Sequence, residues 1–224
     1  MSPASAAKLS PKTEASAPRP TAKDTRKSQR TRRRILDAAM ELFAERGYHA
    51  CTNADVAEAA KLTRGAMLYH FPTRDDLVLA AIDHIQERRN LALAEAARDA
   101  LPGEDLSDQA IDAYWALLQE TPFRAFAELE AAAGADKDLA AKLAPAQAAF
   151  DRAQVGAELS GMLQAGSAAR FQTSRDIARF MLEGLSRANL TYDEDERIER
   201  LLTVIKRVTR VLNRKGGVHE LWED

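Results

Sequence analysis

The sequence predicts an all-α protein, and three observations support this prediction. Alanine, which has the highest helix propensity of all residues, occupies 44 of the 224 positions. Only ten glycines and eight prolines interrupt the chain. Apolar residues recur at intervals of three and four, and no segment alternates between apolar and polar residues as a half-buried strand does.

The first 23 residues differ in composition from the rest of the chain. Six alanines, four serines and four prolines make up 14 of them, and side chains large enough to form a core are almost missing. Such a segment cannot offset the entropy cost of becoming ordered. Residues 1–23 are therefore predicted to be a disordered basic tail.

Helix start and stop signals divide the next fifty residues into three helices. The first begins near Asp24, and Gly47 is expected to end it in a left-handed turn. Thr52 is the expected N-cap of the second helix, with Asp55 at the capping-box position. Thr63 is the expected N-cap of the third, which runs from residue 64 to about residue 70.

Proline, glycine and capping residues separate further helices in the remaining chain. Pro72 stops the third helix, and Thr73 caps a long fourth one. Later boundaries are expected at Pro102-Gly103, Pro122, Gly134 and Asp193–Glu196, and Ser174 is expected to cap the helix before the last.

Residues 52–71, with the sequence TNADVAEAAKLTRGAMLYHF, have the pattern of a helix-turn-helix. Two short capped helices follow each other after a tight break, an arrangement that places the second helix in the major groove of DNA. Arg64 is the candidate base reader, because a guanidinium can donate two parallel hydrogen bonds to guanine O6 and N7. A contact to phosphate is the alternative for Arg64. The core of this domain is expected to contain Leu62, Met67, Leu68 and Phe71.

Over residues 28–82 the chain resembles the TetR family of bacterial transcriptional regulators. The resemblance rests on RRRILDAAMELFAERGY, on TNADVAEAAKLTRGAMLYHF and on PTRDDL. Family members usually have a glycine where Lys61 stands in the turn, and a left-handed non-glycine residue costs on the order of 1 kcal/mol. Cys51-Thr52 occupies the place of the family's threonine pair, and Arg74 matches its phosphate-contacting lysine.

The resemblance implies a homodimer of all-α subunits that represses transcription. Residues 24–72 would form a three-helix DNA-binding domain, and residues 73–224 a helical domain for effector binding and dimerisation. Its partners would be a pseudo-palindromic double-stranded operator and a small-molecule effector. The candidate DNA-binding residues are Thr52, Asn53, Thr63, Arg64, Gly65, Ala66, Tyr69, His70 and Arg74.

Two apolar groups in the C-terminal domain are candidates for its binding functions. Aromatic residues lie where TetR-like proteins bind effectors, although aromatics at helical spacing more often belong to a core. These are Tyr114, Trp115, Phe123, Phe126 and Phe150. The last two helices carry apolar faces that are expected to form the dimer interface, with packing inside one subunit as the alternative. These are Ile177, Phe180, Met181, Leu185, Leu201, Ile205, Val208 and Leu212.

Charge is distributed unevenly along the chain. The first 34 residues carry ten basic and two acidic residues, a net charge of +8, whereas the remaining 190 carry 22 basic and 32 acidic residues, a net charge of −10. Such a basic arm indicates a polyanion bound at one end, or else a solvated tail without a partner. With duplex DNA as the polyanion, the arm would add affinity, and Arg64 and its neighbours would supply specificity.

The sequence favours a ligand-responsive repressor over two other classes of protein. An all-α enzyme would need a convergent polar site, but no nucleophile–base arrangement or metal-ligand spacing stands out, so neither a cofactor nor a metal is expected. A non-sensing architectural DNA-binding protein would use the basic arm alone. The chain has no apolar run long enough to span a membrane, no secretory signal pattern and a single cysteine, Cys51, expected to be buried and not a redox sensor. A cytoplasmic location is therefore expected.

Overall fold

The computed structural model describes residues 22–99, 106–153, 168–191 and 193–213, and within these ranges it contains nine helices and no strand. The all-α prediction is confirmed. Residues 1–21 of the predicted tail and the boundary at Pro102-Gly103 lie outside the described residues. The helices are α1 (Ala22–Arg46), α2 (Asn53–Ala59), α3 (Arg64–His70), α4 (Arg74–Arg98), α5 (Leu106–Leu118), α6 (Thr121–Ala133), α7 (Lys137–Ala153), α8 (Ala168–Ser186) and α9 (Glu194–Asn213).

The predicted helix boundaries of the N-terminal region are confirmed by their hydrogen bonds. Gly47 has φ +78° and ends α1. Thr52 and Asp55 form the capping box: the Asp55 amide lies 3.3 Å from Thr52 Oγ1, and the Thr52 amide donates to Asp55 Oδ2 at 2.7 Å. Thr63 Oγ1 accepts from the Ala66 amide at 3.2 Å. These local contacts fix where α2 and α3 begin, and so fix the path of the turn between them.

The prediction that Ser174 caps a helix is wrong. The helix α8 begins six residues earlier, at Ala168, and Ser174 lies inside it with only 1% of its surface exposed. The Ser174 hydroxyl is 2.6 Å from Asn213 Oδ1 on α9 and 3.1 Å from the Phe171 carbonyl oxygen. Its partner is therefore a neighbouring helix, a contact that local sequence does not reveal.

One apolar core joins the N-terminal helices to the C-terminal helices. Phe43 of α1, Leu77 and Ile85 of α4 and Leu129 of α6 are all fully buried in it. The helix α6 packs along α1, and α4 and α7 pack against α6. The predicted domain division at residues 72 and 73 therefore does not separate two cores.

Three polar contacts tie these helices together around the core. His84 Nε2 of α4 lies 2.7 Å from Asp37 Oδ1 of α1, and His84 is 7% exposed. The Arg124 guanidinium of α6 donates to the Ala44 carbonyl near the end of α1 at 3.2 Å. Lys142 of α7 pairs with an Asp75 carboxylate on α4 at 2.8 Å. No helix among the described residues is long and apolar enough to cross a membrane.

Lys61, in the turn between α2 and α3, has the left-handed backbone conformation that the sequence indicates, with φ +53°. We expect Lys61→Gly to raise the free energy of unfolding by up to about 1 kcal/mol. It relieves about 1–2 kcal/mol of left-handed strain, and the greater freedom of glycine in the unfolded chain offsets about 0.4–1 kcal/mol of this gain.

Urea denaturation measures the effect of this substitution. Lys61→Ala is the matched control, since it removes the same charged side chain but keeps a Cβ at the strained position. A stability gain of equal size in both variants would show that the lysine charge, and not backbone strain, destabilises the turn.

Candidate functional site

The helix α3 presents one polar face to solvent and packs its other face into the core. Arg64, Gly65 and Tyr69 are exposed, Tyr69 by 80%, whereas Met67 is 1% exposed. Leu68 is 40% exposed, so its predicted place in the core is wrong, while Met67 and Phe71 are buried as predicted. Leu68 follows the buried Met67 by one position on α3. Adjacent helical residues are about 100° apart around the axis, so Leu68 points away from the core.

The C-terminal end of α3 is held to α1 by Arg32. Its guanidinium lies 4.2 Å from the centre of the Phe71 ring and donates to the His70 carbonyl oxygen at 3.2 Å. Burial, together with the charge of Arg32, lowers the pKa of His70 below its usual value. This shift favours the neutral form of the His70 ring, which can both donate and accept a hydrogen bond.

Thr52 and Thr63, two of the predicted DNA-binding residues, use their side-chain oxygens as helix caps. Hydrogen bonds from the Thr52 side chain and backbone lower the pKa of Asp55. The capping box therefore contains a carboxylate at neutral pH. Both threonines are exposed, as are Ala54 in the first turn of α2 and Arg64 and Gly65 in that of α3.

Arg74, the predicted phosphate contact, lies against α2 and the turn after α1. Its guanidinium nitrogens are 3.4 Å from Asn53 Oδ1 and 3.3 Å from the Tyr48 carbonyl oxygen. The guanidinium is also 5.0 Å from the centre of the Tyr48 ring. The structure thus brings together the predicted residues Arg74 and Asn53, and it gives Arg74 a role in joining α4 to α2.

The basic residues before the helix-turn-helix lie on the first turns of α1 and are exposed. Residues 26–34 of α1 include six arginines and lysines, and all six side chains face solvent. These are Arg26, Lys27, Arg30, Arg32, Arg33 and Arg34. Part of the predicted basic arm is therefore a helical extension of the first helix, which begins at Ala22, two residues before Asp24.

Three of the predicted effector-site aromatics surround a buried arginine of α4. The Arg89 guanidinium carbon lies 3.8 Å from the centre of the Phe150 ring, 3.9 Å from that of Phe126 and 5.1 Å from that of Phe123. Arg89 is 4% exposed, and burial lowers its pKa to about 10. It stays charged at neutral pH and donates to Gln86 Oε1 at 3.0 Å.

Tyr114 extends this cluster toward α8. Its ring lies edge-on to Phe123 at 6.1 Å, and its hydroxyl donates to Glu183 Oε1 at 2.8 Å. Burial, and then the charge of Glu183, raises the pKa of Tyr114. Glu183 also accepts from Arg179 at 2.8 Å, and Arg179 pairs with Asp151. Tyr114 is thus a neutral donor to a carboxylate that already has a cationic partner.

Trp115 is the predicted effector-site residue that the structure places elsewhere. It packs against the apolar cluster that joins α5, α8 and α9, formed by Ile111, Ala178, Leu182 and Ile205. Its neighbour Tyr114 contacts both this cluster and the one containing Phe123 and Phe150. A helical step of 100° between adjacent residues explains why Trp115 faces another group.

Arg89 is the residue of this cluster that sequence reasoning missed. Leu77, Ala81 and Ile85 define the buried stripe of α4 at intervals of four, and Arg89 is the next position on it. The sequence signal for its burial is a charged residue at a position that continues the apolar stripe of α4. It points to a guanidinium inside the core and not on the surface.

Two open grooves flank this aromatic cluster. One lies between α4 and α7, has a volume of about 500 Å³, and is lined by Gln86, Asn90, Leu91 and Pro145 among others. The second lies between α6, α7 and α8, with a volume of about 650 Å³, and includes Glu183 and Arg187. None of the five predicted aromatic residues lines either groove, and three of them, Phe123, Phe126 and Phe150, pack on Arg89 instead.

The predicted dimer face divides into outward and inward residues. Of the eleven large apolar side chains exposed among the described residues, seven lie on α8 and α9. Ile205 and Leu212 instead are 3% and 7% exposed and belong inside the subunit, because they lie on a different stripe of α9. Leu185 is half-buried. The seven exposed residues are Ile177, Phe180, Met181, Leu201, Val204, Val208 and Val211.

Cys51 is buried behind the helix-turn-helix. Its Sγ lies 3.1 Å from the Gly47 carbonyl oxygen and 3.3 Å from that of Leu42, and burial raises its thiol pKa. Such a thiol is protonated and unreactive at neutral pH. The described part of the chain contains no group of three or more histidine, cysteine or acidic residues placed to hold a metal ion.

Comparison with known families identifies the helix-turn-helix region. The family model for bacterial regulatory proteins of the tetR family matches residues 35–81, from the middle of α1 into α4. Over these residues the chain is similar to the TetR family of regulators, as the sequence indicates.

Relatives and a solved structure extend this identification. The probable HTH-type transcriptional regulator ArpR of Pseudomonas putida is 41% identical over 75 residues, or 33% of this chain. The chain spans only about a third of the length of ArpR, 36%. The HTH-type transcriptional repressor Rv3405c of Mycobacterium tuberculosis is 37% identical over 51% of this chain, and the chain spans 65% of Rv3405c. Salmonella enterica GusR superposes with a TM-score of 0.61 at 22% identity, covering 82% of this chain and 95% of GusR. The chain therefore shares the fold of GusR over its helical C-terminal region as well.

Gly65, on the exposed face of α3, gives a direct test of that face. A Cβ at Gly65 would meet no heavy atom within 4 Å, so Gly65→Ala should leave the free protein as stable or up to about 1 kcal/mol more stable. We expect the same methyl group to weaken operator binding by about 1–3 kcal/mol, as an extra group does in a closely packed contact.

Urea denaturation and gel shifts on the same preparations separate the two effects of this substitution. The matched control is Ala59→Ser, which also adds one heavy atom to an exposed helical position, but on α2. Unchanged operator affinity in Gly65→Ala would show that the backbone of α3 does not approach DNA at this point.

Proposed function

We propose that this protein is a dimeric, sequence-specific DNA-binding repressor of the cytoplasm, released from its operator by a small-molecule effector. The match of residues 35–81 to the TetR family model and the name of the mycobacterial relative support the repressor assignment. The role assigned to the chain is regulatory and not enzymatic.

The exposed face of α3 is the observation that carries this proposal. Arg64 lies in its first turn with its guanidinium in solvent, next to a glycine, and Tyr69 extends from its last turn. A guanidinium at the start of a recognition helix can make a bidentate contact to guanine, and a tyrosine hydroxyl can position the helix on phosphate. The basic first turns of α1 add affinity that depends on salt but not on sequence.

Dimerisation through α8 and α9 would place two copies of α3 on one face of a duplex. Seven exposed apolar side chains lie on two helices that pack against each other, and grouped exposed apolar side chains of this kind often mark an interaction site. A two-fold interface buries the same face of both subunits, and two-fold symmetry fits a pseudo-palindromic operator.

The helix α6 provides a physical link between the proposed effector site and the DNA-binding helices. Its Phe123 and Phe126 contact Arg89 on one side, and its Arg124 donates to the end of α1 on another. A ligand that moves these rings would shift the position of α6. Since α1 packs along α6, the shift would favour a subunit arrangement in which the two copies of α3 no longer match the operator.

A gel-shift experiment tests the DNA-binding half of the proposal. Arg64→Ala should weaken binding to the operator by about 1–3 kcal/mol and relax sequence preference at one base pair, while binding to random DNA stays nearly unchanged. The DNA upstream of the protein's own gene serves as the operator source, at a stated salt concentration. Arg88→Ala is the matched control, because Arg88 is an exposed arginine of α4 outside the helix-turn-helix.

The outcome of this experiment also decides between the proposal and an architectural protein. Equal losses on operator and random DNA would make Arg64 a phosphate contact. Weak binding of the unmodified protein to all sequences alike would contradict the repressor assignment and favour a non-sensing architectural role.

The dimer interface is tested at Phe180, which is 62% exposed in the subunit. Phe180→Asp should weaken dimerisation by about 2 kcal/mol or more, because a charge would replace a large aromatic side chain at the interface. Sedimentation velocity measures the monomer fraction. Leu79→Asp, at an exposed leucine of α4, is the control and should leave the dimer intact. A dimer that survives Phe180→Asp would place the interface elsewhere.

A further inference from the structure

Arg89 combines deep burial with an incomplete set of partners. It is 4% exposed, its Nε atom has no hydrogen-bond partner, and its guanidinium contacts the neutral Gln86 amide and three phenylalanine rings. No carboxylate of the described residues forms an ion pair with it. Proteins rarely leave a buried guanidinium in this state, because an unpaired buried charge is strongly destabilising.

The neighbouring acidic groups are already engaged with other cations. Glu183 accepts hydrogen bonds from Tyr114 and Arg179, and Glu130 pairs with Arg187. They contribute to the electrostatic environment of Arg89 without contacting it. The acidic groups nearest to Arg89 are thus already paired, which leaves its Nε–H open to an anion from outside these helices.

The geometry around the guanidinium restricts the chemistry of such a ligand. Phe126 and Phe150 lie within stacking distance, at 3.9 and 3.8 Å, so the vacant position is an N–H at the edge of the guanidinium plane. A carboxylate has the planar shape and charge that match this edge. The surrounding rings favour an apolar body attached to the carboxylate.

We propose that Arg89 is the anchor for an apolar carboxylic acid, the effector class of this protein. This inference rests on the proposed effector-released repressor. The acid enters from the groove between α4 and α7. Gln86 lines this groove and also accepts a hydrogen bond from Arg89 through Oε1, so it connects the groove to the buried guanidinium. The carboxylate accepts from the vacant Nε–H of Arg89, Gln86 Oε1 keeps its bond from Nη1, and Leu91, Pro145 and Ala146 contact the apolar body.

Asp83 and Glu87, on the rim of this groove, are the groups that oppose an anion. Both are exposed, so their repulsion is screened at physiological ionic strength. Arg89 is buried, and its attraction is screened much less. Raising the salt concentration should therefore not weaken acid binding, and would strengthen it slightly.

A thermal-shift and calorimetry experiment on the full chain tests the proposal with matched pairs of probes. Benzoate, phenylacetate, hexanoate and decanoate are compared with the corresponding primary amides, which have nearly the same shape but no charge. At least one acid should raise the melting temperature and bind at least tenfold more tightly than its amide. Arg89→Met should abolish this preference, whereas Arg88→Met, at the exposed neighbour, should keep it.

Circular dichroism and the melting temperature without ligand show whether Arg89→Met folds, and Arg89→Lys provides a second variant that keeps the charge but lacks the planar edge. Loss of the acid preference in a folded Arg89→Lys supports the proposal. Equal binding of acids and amides, binding that persists in Arg89→Met, or no binding of any acid in the series overturns it.

Gel shifts with the same probes separate this proposal from the repressor function. An acid that binds through Arg89 but leaves operator affinity unchanged supports the carboxylate site and contradicts release by that acid. Operator binding that is intact in a protein to which no acid binds overturns the carboxylate site alone.

Discussion

The packing of α6 along α1 is the contact on which the rest of the structure depends. Ala125, Phe126 and Leu129 of α6 are buried in the same core as Ile35 and Phe43 of α1. Complete burial of one such large side chain contributes about 1.5–3 kcal/mol, whereas an exposed ion pair contributes about 0–1 kcal/mol. The apolar contact therefore determines where α1 lies, and the bonds Arg124–Ala44 and His84–Asp37 set its register. Because α2 and α3 pack on α1 and α4, their position follows from the same contact.

This arrangement lets a single subunit combine the proposed DNA-binding helices with the cluster proposed to bind an effector. The N-terminal end has short helices whose caps and turns are satisfied locally, at Thr52, Thr63 and Thr73. The distal end contains an incompletely paired cation, Arg89, among aromatic rings. An unsatisfied buried charge makes the second region sensitive to an added anion, and the shared core gives that sensitivity a path to α1. The path is a physical continuity of packed helices, and coupling through it is part of the proposed function.

Local features of the structure were predictable from sequence, and features that depend on distant partners were not. The left-handed Gly47 and Lys61 and the Thr52 capping box involve residues within a few positions of one another, and all are as expected. Serine is a favoured N-cap residue, so the sequence predicts a cap at Ser174. The prediction fails because the partner of Ser174, Asn213, is 39 residues away in the chain. On α9, apolar residues at helical spacing lie on two neighbouring stripes, one facing outward and one facing inward. The sequence does not distinguish exposed Val208 from buried Ile205, because that depends on where α5 and α8 pack. The burial of Arg89 was not predictable from its residue type, because charged residues normally lie at solvent-facing positions.

The shared core makes the protection of α1 depend on α6, and hydrogen exchange of the backbone amides measures this dependence directly. Leu129→Ala removes a fully buried side chain of α6 and should cost about 2–5 kcal/mol. With one continuous core, exchange should accelerate by a similar factor in Ile35–Arg46 of α1 and in α6, because both are exposed by the same opening. Faster exchange in α6 and α7 alone, with α1 as protected as in the unmodified protein, would contradict the shared core and, with it, the proposed link between effector and DNA.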